Sequence, residues 1–197
     1  MSKYSADRAF TDDVHIRLAV PLIYNPIQWW EVNLDQYVSS AIDIEQGIDY
    51  IFRYDGALKS VQERFREAKY ARYADFTIRY RRDTNKHEDR KASEFYKMKA
   101  QFFTYGITNG EKAVPSSSND FLKYAIIDLE KVYNKLATQE ITIKDSGANY
   151  CKIIGNNTLE CPIKYNADGS SSFFPIDIAA IIKLWGKEMI ITQKGFI

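Results

Sequence analysis

Asp49 and the triplet Gln62-Glu63-Arg64 are the residues of this chain whose types and spacing could do chemistry. They lie in GIDYIFRYDGALKSVQERFRE, positions 47–67, which reads as a strand, a turn at Asp55-Gly56 and a returning strand. Carboxylate or amide oxygens on adjacent strands can hold a hard cation such as Mg²⁺ or Mn²⁺. Such an ion polarises a phosphoryl oxygen and delivers a water. A neighbouring cation then holds the phosphate or stabilises the developing negative charge. Arg64 offers a planar fork for that purpose, and Lys97 and Lys99 are nearby substitutes.

The strands that must position these groups alternate. Ile48, Tyr50 and Phe52 share one face; Asp49, Ile51 and Arg53 share the other. In the second strand Gln62, Arg64 and Arg66 lie opposite Val61, Glu63 and Phe65. If Val61 and Phe65 face the core, Gln62 and Arg64 stand beside Asp49. Glu63 is then left among apolar neighbours and needs a partner or a metal. A register slip or bulge would instead bring Glu63 to the Asp49 side. Both arrangements stay open at this level.

Around this hairpin the pattern predicts a mixed α/β domain. A helix begins near Thr11, with Val14 and Leu18 on its apolar face, and the Trp29-Trp30 pair reads as a core plug. A second helix over 33–46 places Leu34, Tyr37, Val38, Ala41 and Ile42 on one side. A third strand is expected at 75–83 and a helix over 87–103, followed by a strand at 102–108 and a long helix over 117–138. The tail reads as short strands, including a hairpin around Gly155, with a short helix over 175–186. His15 and His87 lack the spacing of a metal pair and read as surface residues, and Asp75 reads as a turn or cap.

The bulk composition fits one domain, 1–197, with 45% hydrophobic residues and 14% aromatics. No apolar run approaches a membrane span, and the start MSKYSADRAFTDD has no apolar stretch of the kind a secretory signal needs. A cytoplasmic protein without a membrane partner is the expectation. Cys151 and Cys161 form neither a disulfide framework nor a zinc signature, and two reduced structural thiols are expected. The net charge of +1 hides a basic stretch: 58–99 carries thirteen Lys or Arg against seven Asp or Glu. Such a stretch is either a solvated face or a surface for phosphates. On the second reading Arg66, Lys69, Arg72, Arg79, Arg81, Lys97 and Lys99 would hold a DNA backbone, and the interleaved Tyr70, Tyr73, Tyr80 and Tyr96 suit stacked bases.

The order GIDYIF, glycine-containing turn, SVQERFR, third strand, SEFYKMKAQFF, TYGIT resembles the PD-(D/E)XK nuclease-like (restriction endonuclease-like) superfamily over about 33–110. The resemblance implies a mixed central sheet with a three-strand meander flanked by helices, here with a small β-rich C-terminal extension over about 138–197. It implies a Mg²⁺- or Mn²⁺-dependent endonuclease acting on DNA, and many that cut both strands are homodimers. Asp49 matches the first acidic position, and Gln62-x-Arg64 matches the second motif, with Gln62 for the usual acid and Arg64 for the usual lysine. Metal ligation would then fall to Asp49 with Gln62 or Glu63. A further acid on the preceding helix is common in that superfamily, and Glu45 and Glu31 are the candidates. The competing reading is a relative that binds nucleic acid or serves assembly without cutting.

Overall fold

The computed structural model describes residues 3–81, 93–167, 169 and 171–197, with side chains from Arg8 onward. Helix α1, Lys3–Val14, runs on into a more widely wound π-helical segment, His15–Tyr24, where Pro21 has no N–H to add to the ladder. Its apolar stripe of Phe10, Val14, Leu18, Ile23 and Tyr24 is buried. Strand β1 is Trp30–Glu31. Trp29 is buried and Trp30 exposed, so only the first tryptophan plugs the core.

Helix α2, Gln36–Gln46, is capped by Asp35, whose carboxylate accepts from the Tyr37 N–H. It ends at Gly47 in the left-handed conformation (φ 59°), the usual terminator where a Cβ would clash. The expected apolar side meets the core only at its C-terminal end: Leu34, Tyr37 and Val38 are exposed, while Ile42 packs against the core. Strands β2, Tyr50–Tyr54, and β3, Ala57–Arg66, form the hairpin, with Tyr50 opposite Val61 and Tyr54 opposite Ala57. Asp55 and Gly56 both take positive φ (48° and 74°), the turn that matches strand twist.

The predicted three-strand meander is corrected here. Strand β4, Asp75–Arg81, leaves the central sheet and pairs with β11, Ser172–Asp177. The next central position beside β3 belongs to β5, Phe102–Thr108, in parallel register with Val61 opposite Phe102. Parallel neighbours need a crossover of a dozen or more residues. β4 and the short helix α3, Glu94–Lys97, lie in that crossover. Of the helix predicted over 87–103, only Glu94–Lys97 is helical among the described residues; Phe102 and Phe103 belong to β5, and 87–92, with His87, lie outside the described residues.

The six-stranded sheet has the order β1-β2-β3-β5-β6-β12, with β6 Phe121–Asp128 and β12 Ile190–Lys194. β6 replaces the first half of the helix expected over 117–138; only Leu129–Ala137 is helical, as α4, capped by Asp128. The cause is burial on both faces. Ile126 enters the core under α1, while Ala125 and Ile127 enter the core on the other side. A strand buried twice loses its alternation and reads like a helix. Gly106 in β5 makes room for this packing, since a Cβ there would stand 2.6 Å from the Phe121 ring and 3.0 Å from Phe65.

Strands β7 Ile141–Lys144, β9 Thr158–Pro162 and β8 Lys152–Ile154 form a small sheet, and β10 Lys164–Tyr165 extends the β11-β4 pair. Helix α5, Ile178–Trp185, follows β11 directly, capped by Asp177. Cys151 and Cys161 are free thiols with sulfurs 3.8 Å apart. Among the described residues no helix is long and apolar enough to cross a membrane.

Candidate functional site

Gly47 turns the chain from α2 into β2, and this turn sets the site. Asp49 lies just ahead of β2, its N–H bonded to the Val61 carbonyl at 2.9 Å. The hairpin register therefore places it across from Gln62. Gln62 Nε2 donates to Asp49 Oδ2 at 2.6 Å, and the Glu63 backbone N–H donates to the same oxygen at 2.8 Å. The other face of the Gln62 amide rests against the turn: a Cβ on Gly47 would come within 3.3 Å of Gln62 Oε1.

A second carboxylate joins from α2. Asp43 Oδ2 lies 2.6 Å from Arg8 Nη1, and Asp49 Oδ1 lies 3.5 Å from the same nitrogen. Arg8 Nε binds Asp12 at 2.9 Å. Two carboxylates from two elements thus converge on one cationic centre supplied by α1. Burial, and the charges of Asp43 and Glu63, push the Asp49 carboxyl up to about 7, against the opposing effects of the Glu63 N–H and Arg8. Asp43, not Glu45 or Glu31, is the helix acid that meets Asp49; Glu45 is exposed. A signal for it existed. A carboxylate in the last turn of a helix opposes the macrodipole and needs a compensating cation.

Glu63 is elsewhere. Its side chain enters the core under α1, between Val61 and Phe65, and only its backbone reaches Asp49. Both carboxylate oxygens lie 3.0 Å from His15 Nδ1, and Tyr24 donates to Oε1 at 2.5 Å while also bonding Thr104 at 2.8 Å. His15 Nε2 meets Glu31 at 3.2 Å, and its ring stacks on Tyr50 with centroids 3.6 Å apart. The reading of His15 as a surface residue is corrected: it is 2% exposed. Burial lowers its affinity for a proton, but the Glu63 charge and the bonds to Glu31 and Glu63 outweigh this and raise its pKa to about 9. Glu63 needed a partner, and the partner came from a helix 48 residues away.

On the Asp49 side of β3, Arg64 Nη1 donates to the Thr77 carbonyl at 2.8 Å and Nη2 pairs with Glu94 of α3. Arg66 lies over the Tyr70 ring, 5.2 Å from its centroid, and bonds Thr77 Oγ1 at 3.3 Å. Its Nε is buried without a hydrogen-bond partner. β3 pairs with β2 only as far as Val61, so beyond Gln62 that edge carries no strand among the described residues. A cleft of about 280 Å³ lies along this edge, lined by Arg64, Arg66, Arg79 and Lys112 with Glu63 and Glu67.

The other basic residues do not gather there. Lys69 pairs with Glu67, and Arg72 bonds the neighbouring Tyr73 hydroxyl at 2.8 Å. Arg81 ends β4 opposite Ser172. Lys97 reaches back to the Ile44 carbonyl at 3.0 Å, a cation closing the C-terminal end of α2. Lys99 is exposed. Asp43 and Asp49 are the residues whose oxygens could hold a hard cation; Gln62 turns its Nε2 toward Asp49 and its Oε1 toward Gly47. Among the described residues no group of three or more His, Cys, Asp or Glu side chains is placed to hold one. Compared with family models, with curated proteins and with solved structures, the chain finds no match in any of the three.

Proposed function

We propose that the chain is a divalent-metal-dependent nuclease whose site is the Asp43-Asp49 pair beside Gln62, where the paired part of β3 ends. One observation carries this reading: two carboxylates from α2 and the start of β2 converge on a single cationic centre, Arg8 Nη1, beside Gln62. The guanidinium nitrogen stands where a metal ion would. Two carboxylates suit Mg²⁺, which keeps several waters and takes the rest of its ligands from substrate phosphate. When bound, the ion would polarise the scissile phosphoryl oxygen and lower the pKa of a bound water. The chain's own residues supply the rest. Asp49 is fixed by the Gln62 amide and the Glu63 N–H, and Arg64 and Arg66 present positive charge to a phosphate along the edge.

A second reading, nucleic-acid binding without cleavage, is favoured by Arg64. Its guanidinium is engaged by Glu94 and the Thr77 carbonyl, and it stands where the nuclease pattern has a lysine. The same experiment separates the two. Labelled single- and double-stranded DNA is incubated with Mg²⁺ or Mn²⁺ and the wild-type or Asp49→Asn protein. Cleavage lost in the variant and in chelator supports the nuclease. Salt-sensitive DNA binding with no cleavage supports the second reading. Cleavage unchanged by Asp49→Asn refutes the site.

A further inference from the structure

Behind the cationic cleft lies a second cavity of about 280 Å³, and the two share the wall made by Arg66, Tyr70, Asn166 and Phe173. Their chemistry differs. The first carries four cationic side chains, Arg64, Arg66, Arg79 and Lys112, against two carboxylates, Glu63 and Glu67. The second is lined by the aromatic rings of Tyr70, Tyr73, Tyr105, Tyr150 and Phe173, with Asp75, Thr77 and Asn149 as hydrogen-bonding groups.

The elements bring these rings together from three parts of the chain. Tyr70 and Tyr73 come from the turn between β3 and β4, with centroids 6.4 Å apart. Phe173 comes from β11. Tyr150 stands on the segment before β8, which Lys164 holds by bonds to the Ala148 carbonyl at 2.8 Å and Asn149 Oδ1 at 2.9 Å. Tyr150 is 72% exposed and lines the cavity without serving as core. Arg66 is common to both cavities. A guanidinium on that shared wall offers charge-assisted N–H donors to an anionic oxygen in the cleft.

A cation-lined cleft joined through one arginine to an aromatic pocket with amide and carboxyl groups matches a nucleotide: phosphate on one side, base on the other. We propose that the two cavities together hold one nucleotide unit, its phosphate against Arg66 and its base among Tyr73, Tyr150 and Phe173. This rests on the reading of the chain as a nucleic-acid protein, and it adds that the strand is gripped through an unstacked base. The substrate class is then single-stranded nucleic acid, or a duplex with one nucleotide turned out of the stack.

Binding of the four nucleoside 5′-monophosphates, the matching nucleosides and inorganic phosphate is measured by calorimetry in EDTA. No metal chemistry contributes under these conditions. At least one monophosphate is expected to bind about tenfold tighter than phosphate alone, within the range of one base stacked on an aromatic ring. Tyr150→Ala, at an exposed ring, is expected to remove that preference and leave phosphate binding intact, whereas Arg66→Lys weakens both. Unaltered circular dichroism and melting temperature establish that each variant folds. Equal affinity for phosphate and monophosphates, no binding of either, or a preference untouched by Tyr150→Ala each overturns the inference. Asp49→Asn separates it from hydrolysis. Undiminished monophosphate binding by that variant is expected, and its loss overturns the placement of the nucleotide in these cavities. A wild-type protein that binds monophosphates but cuts nothing leaves the nucleotide site standing and removes the nuclease.

Discussion

Replacing His15 by glutamine tests the contact that locks the π-helical segment after α1 to β3. His15 is enclosed by two carboxylates, Glu63 and Glu31, and by the ring of Tyr50. Its pKa rises from 6.5 to about 9. In the folded protein the proton is held up to about 9; in the unfolded chain it is lost near 6.5. The stabilisation is therefore complete below 6.5 and disappears as the pH rises through about 9. A shift of this size corresponds to about 3 kcal/mol. His15→Gln removes this cation from the buried Glu63 carboxylate, and breaking a buried pair in this way costs roughly 3–5 kcal/mol. The assay is urea unfolding of both proteins at pH values of about 6, 8 and 10. We expect the difference between them to be largest at the acid end and to shrink by about 3 kcal/mol toward the alkaline end. Asp49 also titrates, but its carboxyl is raised only to about 7 and it is common to both proteins, so it drops out of the difference. Tyr24 and Tyr50 are pushed above their ordinary range and stay neutral in this window. Parallel stability profiles for the two proteins would refute the ion-pair account.

Three further perturbations address the scaffold and the site. Gly106→Ala puts a methyl group against the Phe121 and Phe65 rings, and thermal or urea unfolding should register a loss of about 1–3 kcal/mol from overpacking. Arg64→Ala leaves Glu94, which is 7% exposed, without its cation, and should destabilise by about 3 kcal/mol; Arg64→Lys keeps the charge but not the fork and should fall between the two. Arg8→Met removes the cation from between Asp43 and Asp49, and a Mn²⁺ titration should show tighter binding than in the wild type.

The hairpin was legible because its information is local. Alternation and an Asp-Gly turn mark the two strands but leave two arrangements of Glu63, and the structure takes the one with Asp49 opposite Gln62 and Glu63 on the other face. What escaped is non-local. β4 reads as a strand from Phe76 and Ile78, but nothing within 75–81 says that its partner is β11, a hundred residues on. The stretch from Phe121 to Asp128 carries apolar residues for two cores, and that density masks the period of two. Asp43 was overlooked because its neighbour Arg8 comes from a helix that the sequence does not tie to α2. His15 was misjudged for the same reason: its polarity suggests surface, while Glu63 and Tyr24 make a buried position tolerable.

The central claim is that Asp43 and Asp49 together form a cation site. Mn²⁺ binding followed by electron paramagnetic resonance tests it most directly, using the wild-type, Asp43→Asn and Asp49→Asn proteins with nucleic acid absent. The expected result is one site in the wild type, weakened at least about tenfold by either substitution, as for loss of one charged ligand. Mn²⁺ binding unchanged in both variants, or absent from the wild type, would contradict it.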